Sequence, residues 1–310
     1  MEYKNENDVI FREVIINTDK GGDDVTIVQL TDSHYWAFTD ADLENPVLAS
    51  TKQNRVWRSV ANGASVANTE KVLAYADSVA DQIMVTGDVM DFLSEGTLNL
   101  LKTTIWDKYG VASGKDKVMV SVGNHEPVRQ MQGEIADTDS RESRLRVLQD
   151  NWEHDIYYTS RVLKDKVMVI QLDNGSADKF LDIQVDHLKS DLALAREKGY
   201  TVLLFYHIPL STGNPDNIST AASKVGDKNN TFANFYSKGI NRCSDGASGE
   251  IYGIITNNAD IIKGCFCGHK HCDFYTEINA KTADGKDTVI PQYILIGTPY
   301  GAYATKIIVK

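Results

Sequence analysis

Short apolar runs, rich in β-branched residues, recur along this chain, and most end in a polar cluster. They are Val25–Leu30, Ile83–Val85, Val118–Val122, Val167–Leu172, Val202–Tyr206, Ile261–Phe266 and Tyr293–Ile296. Runs this short and this uniformly apolar predict buried strands. Helical patterns lie between several of them. Thr69 is placed to cap a helix carrying Val72, Leu73, Ala76, Val79 and Ala80 on one face. Asp182 is placed to cap another, with Val185, Leu188, Leu192 and Ala195 as its stripe and Gly199 as its stop. Strands alternating with helices predict an α/β fold. Val9–Ile16 reads as one more strand, and Lys20-Gly21-Gly22-Asp23 turns the chain into Val25–Leu30, as an opening hairpin or a paired edge.

Five of the runs end in clusters of one chemical kind. Asp32 and His34 follow Leu30, and Gly87-Asp88 follows Val85. Gly123-Asn124-His125-Glu126 follows Val122, His207 follows Tyr206, and Gly268-His269 with His271 follows Cys267. These clusters hold five of the seven histidines, and histidine is the commonest metal ligand. The C-terminal edge of strands is where open α/β sheets bind ligands. Imidazole, carboxylate and amide oxygen together suit borderline divalent metals. Two-metal catalysis needs a group shared by ions roughly 3.5–4 Å apart. A carboxylate bridges readily, which makes Asp88 the natural bridge, and Gly87 lets the chain turn sharply before it. Taken singly, Asp32-x-His34 and Gly87-Asp88 are ordinary turn chemistry and His207 an ordinary buried histidine, while Gly123-Asn124-His125-Glu126 and Gly268-His269-x-His271 are stronger signals; the joint pattern carries the reading. Cys265 and Cys267 alternate within an apolar strand, so they read as core thiols and not as a structural zinc pair, whose cysteines lie about two to four residues apart.

The chain has 310 residues, 42% of them hydrophobic, enough for a substantial core. Its formal charge of −11 disfavours long nucleic acids and anionic membranes as partners. No apolar stretch approaches a membrane span. The polar start Met1–Asp8 lacks the pattern of a signal peptide, and four cysteines are too few for a disulfide framework. The expectation is a cytoplasmic protein, with a removed leader left open. The whole chain, 1–310, is expected to form one domain, with 1–24 as a lead-in strand or hairpin. Two polar stretches, 35–68 and 211–248, follow candidate ligands and are expected to be active-site loops or insertions. The first carries Trp36, Arg55, Trp57 and Arg58.

With these clusters in hand, the chain resembles the calcineurin-like metallophosphoesterase superfamily from about Val25 to the C-terminus. The resemblance implies a four-layer α/β/β/α sandwich with two mixed β-sheets and a metal site at the strand C-terminal ends. It implies two transition-metal ions, divalent or trivalent, of Fe, Mn or Zn. Asp32, His34 and His271 would bind the first and Asn124, His207 and His269 the second, with Asp88 bridging. His125 matches the family's catalytic histidine, and Asp91 its second acidic residue. The segment Gly297-Thr298-Pro299-Tyr300-Gly301 matches the family's closing segment near the site. Two departures stand out. Phe92 occupies the position where the family often has a phosphate-gripping arginine, and His207-Ile208-Pro209 replaces the His-Gly-Gly of phosphoprotein phosphatases. Arg129, Arg55 and Arg58 are the candidate substitutes for that arginine.

The activity so implied is hydrolysis of a small phosphomonoester or phosphodiester by metal-activated hydroxide. The alternatives are a non-catalytic metal-binding or interaction module on the same fold, or a nuclease. The oligomeric state is left open.

Overall fold

The structure is a computed structural model and describes residues 3–54, 62–130, 135, 137–212 and 246–310. Twelve strands form two six-stranded sheets among the described residues. The first is ordered β1 (Tyr3–Glu6), β2 (Val9–Ile16), β12 (Tyr303–Val309), β3 (Val25–Leu30), β4 (Gln82–Thr86) and β5 (Val118–Ser121). The second is ordered β10 (Phe274–Lys281), β11 (Asp287–Ile294), β9 (Ile262–Cys267), β8 (Thr201–Phe205), β7 (Val167–Leu172) and β6 (Tyr158–Leu163). Both are mixed. β3, β4 and β5 run parallel, as do β7, β8, β9 and β11 and the pair β2 and β12; the other pairings are antiparallel.

Side-chain alternation sorts each strand between two cores. On β3 and β4, Val25, Ile27 and Met84 face inwards to meet Val169, Leu203, Phe205 and Phe266 of the other sheet. Phe266 stacks between Phe205 and Tyr293, with ring centroids 5.2 and 5.1 Å away. Such pairs contribute about 0.5–1.5 kcal/mol beyond area burial. The opposite faces are covered by helices. Val28, Leu30, Ile83 and Val85 pack with Val72, Leu73 and Ala76 of α2 (Asn62–Val79). Met168, Ile170, Val202 and Leu204 pack with Val185, Leu188 and Leu192 of α6 (Ile183–Lys198) and Ile251 of α7 (Gly246–Thr256). The result is the expected helix, sheet, sheet, helix stack. The remaining helices are α1 (Pro46–Asn54), α3 (Glu95–Leu101), α4 (Asp107–Tyr109) and α5 (Arg141–Asp150).

Four local expectations differ from what forms. The opening hairpin is not β2 with β3. β12 lies between them, parallel to β2 and antiparallel to β3. β2 instead pairs with β1 through Asn7 and Asp8, at φ of 52° and 62°, where Asn and Asp are favoured. Thr69 is inside α2 and does not cap it: its hydroxyl lies 2.7 Å from Thr298 Oγ1. Asp182 does precede α6 but makes no side-chain cap; Gly199 ends that helix at φ 70° as expected. The stretch 35–68 is not all loop, since it holds α1 and the start of α2. Residues 213–245 of the second stretch, and Arg55, Trp57 and Arg58, lie outside the described residues.

Candidate metal centre

The parallel strands β3, β4, β5, β8 and β9 all end at one edge of the sandwich, and beyond those ends the clusters converge. The β3–β4 ladder continues into the loops. Asp32 N–H donates to the Gly87 carbonyl at 3.0 Å, and His34 N–H to that of Asp88 at 2.9 Å. Among the described residues, eleven other than glycine have positive φ, and Asp32, His34, Asp88, His269 and His271 are five of them. Left-handed backbone costs roughly 1–2 kcal/mol per residue and concentrates at functional sites. Gly87, at φ 82°, sits so close to His207 that a Cβ there would lie 2.6 Å from its Nδ1.

Three groups of donor atoms result among the described residues; one is His34, Asp91 and His125, and the other two carry the metal reading. Those of Asp32, His34, Asp88 and His271 lie within 4.8 Å of one another, as do those of Asp88, His207 and His269. Asp88 belongs to both groups. Asn124 Oδ1 lies 3.2 Å from His207 Nε2 and so adjoins the second. His34 Nε2 faces His271 Nε2 at 2.9 Å, and His269 Nδ1 faces His207 Nε2 at 3.2 Å. Ring nitrogens turned on one another beside carboxylates form an inward-facing donor set, and its chemistry fits borderline transition-metal ions.

A surrounding set of hydrogen bonds aims these donors. His207 Nδ1 lies 2.8 Å from the Thr86 carbonyl, and His34 Nδ1 lies 3.1 Å from Asp91 Oδ1. Each ring's Nε2 is thereby directed at the centre. Asp88 Oδ1 accepts from His125 N–H at 2.9 Å. His125 Nδ1 is 3.1 Å from Asp91 Oδ1, and its Nε2 is 3.9 Å from Asp88 Oδ2. Asp91 therefore holds two imidazoles, whose rings meet edge to face at 4.7 Å.

Burial opposes charge on Asp32, but His271 overcomes it and holds the carboxyl at about 2. Asp88 is likewise held well below its ordinary value, against burial, by His207 and His125. Burial opposes the charge on His125 and His207 too, yet Asp88 lifts them to about 9 and about 10. Burial lowers His34 and His269. Asp32 and Asp88 are thus anionic at neutral pH, the form that binds cations.

Three contributors have roles that the sequence reading did not assign, although Glu126 and Tyr300 lie in segments it named. Glu126 is fully buried and accepts the N–H groups of Gly123 at 2.7 Å, Met90 at 3.1 Å and Asp88 at 3.2 Å. It joins the loop after β4 to the loop after β5; burial and the nearby Asp88 raise it to about 7. Asp173-Asn174-Gly175-Ser176 forms a further strand-end cluster, past β7, without a histidine to draw notice. Tyr300, half-exposed in the closing segment, has its hydroxyl 3.3 Å from His271 Nδ1. Two positions named for the substrate's cation can be placed. Phe92 is sealed in the core, stacked on Phe38 at 5.9 Å, so that position faces away from solvent. Arg129 is engaged by Asp139 at 2.6 Å and Asp137 at 3.3 Å. Cys265 and Cys267 are buried thiols, as read, with Cys265 pushed up to about 12 by burial.

The calcineurin-like phosphoesterase family matches residues 25–273. This chain belongs to that family. Calcineurin-like phosphoesterases are phosphoester hydrolases built around a dinuclear metal centre, and the fold agrees. A dimetal phosphatase from Danio rerio shares 13% identity over 89% of this chain and 90% of its own, with a TM-score of 0.50. A purple acid phosphatase from yellow lupin (Lupinus luteus) seeds shares 12% identity over 93% of this chain and 44% of its own, with a TM-score of 0.43. No curated protein matches the chain. No helix of the described residues is long and apolar enough to cross a membrane.

Proposed function

We propose that this calcineurin-like phosphoesterase hydrolyses a small phosphomonoester or phosphodiester at a dinuclear transition-metal site. The observation that carries the reading is the membership of Asp88 in both donor groups. Asp32, His34 and His271 would hold one ion, Asn124, His207 and His269 the other, and Asp88 both. Ions held there would supply an activated water near neutral pH and positive charge for phosphoryl oxygens. Their charge would also offset the local field of a chain at −11, so that an anion could bind.

The chain's own residues do the rest. Asp91 fixes the His125 ring through Nδ1, leaving Nε2 turned towards the Asp88 side of the site. From there His125 protonates the departing alkoxide, a contribution typically of about 10²–10⁴-fold. Arg129, the candidate cation near His125 in sequence, is paired to Asp137 and Asp139. The test is metal analysis and a panel of aryl phosphates and bis-aryl phosphates on one preparation. Two ions per chain and hydrolysis abolished by chelation are expected. Full activity in chelator-stripped protein refutes the mechanism, and two bound ions with no turnover of any ester return it to a binding module.

A further inference from the structure

Asn174 follows β7 and is buried. Its Oδ1 accepts the Ile208 N–H at 2.9 Å, and its Nδ2 donates to the Ile208 carbonyl at 2.7 Å. One side chain thus supplies both bonds that a neighbouring strand would make. The β7–β8 ladder ends at Gln171 and Phe205. Asn174 carries the pairing beyond that point to the residue after His207. The turn that presents it is held by Asp173, whose Oδ1 accepts from Gly175 N–H at 3.0 Å and Ser176 N–H at 2.9 Å. Gly175 lies against Gly123, and a Cβ on it would come within 2.5 Å of the Gly123 carbonyl carbon. Gly123 directly precedes Asn124. A single turn therefore braces both the loop bearing His207 and the loop bearing Asn124, the two side chains that adjoin at 3.2 Å.

We propose that Asn174 is a positioning residue for the ion assigned to Asn124, His207 and His269. The inference rests on the dinuclear reading above and adds the device that sets one half of it. His207 is already fixed on one side by the Thr86 carbonyl; Asn174 fixes the chain on its other side.

The experiment titrates chelator-stripped wild type and Asn174→Ala with Zn²⁺ by calorimetry, and follows unfolding of each with and without the metal. One of the two ions should bind about 10–100-fold more weakly in the variant, the usual effect of losing such a support, and the other unchanged. The stabilisation gained on adding metal should then fall by about 1.4–2.7 kcal/mol, the same fold-change converted at 1.4 kcal/mol per decade. A purely structural role lowers the metal-free and metal-loaded forms equally. Asn174→Asp keeps the acceptor for Ile208 N–H but not the donor to its carbonyl, and is read the same way should the alanine variant not fold. Wild type that fails to bind two ions overturns the dinuclear reading itself. Wild type that binds two, beside a variant with both affinities unchanged, overturns only the role of Asn174.

Discussion

Acidification should weaken this fold through His154, at a distance from the metal centre. β5 is the edge strand that leads to Asn124 and His125. Its exposed ladder at Val120 is closed by side chains in place of another strand. Val120 N–H donates to His154 Nε2 at 2.9 Å, and its carbonyl accepts from Trp152 Nε1 at 2.9 Å and Gln171 Nε2 at 3.0 Å. His154 must be neutral to accept, and burial lowers its pKa from 6.5 to about 4. The unfolded chain therefore takes up a proton between those values that the folded chain refuses. The stabilisation is complete above pH 6.5 and is lost as pH falls towards 4. A shift of that size corresponds to about 3 kcal/mol at 1.36 kcal/mol per pKa unit. The ring is only partly buried, so screening by water reduces the working figure to about 2 kcal/mol. The assay is denaturant unfolding from pH 7.5 to 4.5 of wild type and His154→Gln, whose amide oxygen accepts the same N–H without titrating. With chelator present throughout, the metal-site histidines titrate alike in both proteins and cancel in the difference. Wild type should lose about 2 kcal/mol relative to the variant across that range. Parallel curves refute the account of His154.

Replacing His125 with alanine should leave metal content intact and reduce kcat by about 10²–10⁴-fold; turnover equal to wild type removes it from the chemistry. Glu126→Gln turns an amide N–H₂ towards at least one of the three N–H groups the carboxylate accepts. A loss of about 1–3 kcal/mol in denaturant unfolding is expected, and an unshifted midpoint contradicts that. Gly87→Ala places a Cβ 2.6 Å from His207 Nδ1 at φ 82°; the metal measured by elemental analysis should fall below two ions per chain, and full occupancy shows that the loop can yield.

The parallel strands were legible because burial on both faces leaves them continuously apolar, as in β7, where all six residues are buried. The edges were not. β10 alternates exposed and buried residues in Phe-Tyr-Thr-Glu-Ile-Asn-Ala-Lys, and β1 is exposed throughout. β12 takes its place by pairing with strands nearly three hundred residues earlier, as in Thr305 with Arg12 and Gln29, a contact no local pattern encodes. The start of α2 was hidden for another reason. Its first half docks through polar groups, with the Ser65 hydroxyl donating to the Ser33 carbonyl and Asn68 Nδ2 to that of Thr298. A search for an apolar stripe begins one helical segment too late, at Thr69. At the site the side chains with metal-binding chemistry were readable, whereas those that act on backbone were not. Glu126 and Asn174 serve by accepting or donating to main-chain groups of distant loops, and residue type alone does not announce that task.

The same division bears on how rigid the centre is. Five candidate ligands occupy left-handed backbone, which persists only where the surroundings over-determine it. Here they do. Asp32 is tied through its N–H to Gly87, and through its carboxylate to the Thr31 hydroxyl at 2.7 Å and the His269 N–H at 2.9 Å. Asp88 is held by Glu126 through its N–H and by His125 through Oδ1. Each loop is therefore hydrogen-bonded to another loop of the same site before any ion is considered. A centre assembled this way brings its donors to convergence in the fold itself, so a cation need supply little ordering of its own. Preorganisation of this kind suits a site whose geometry must hold while charge moves through it.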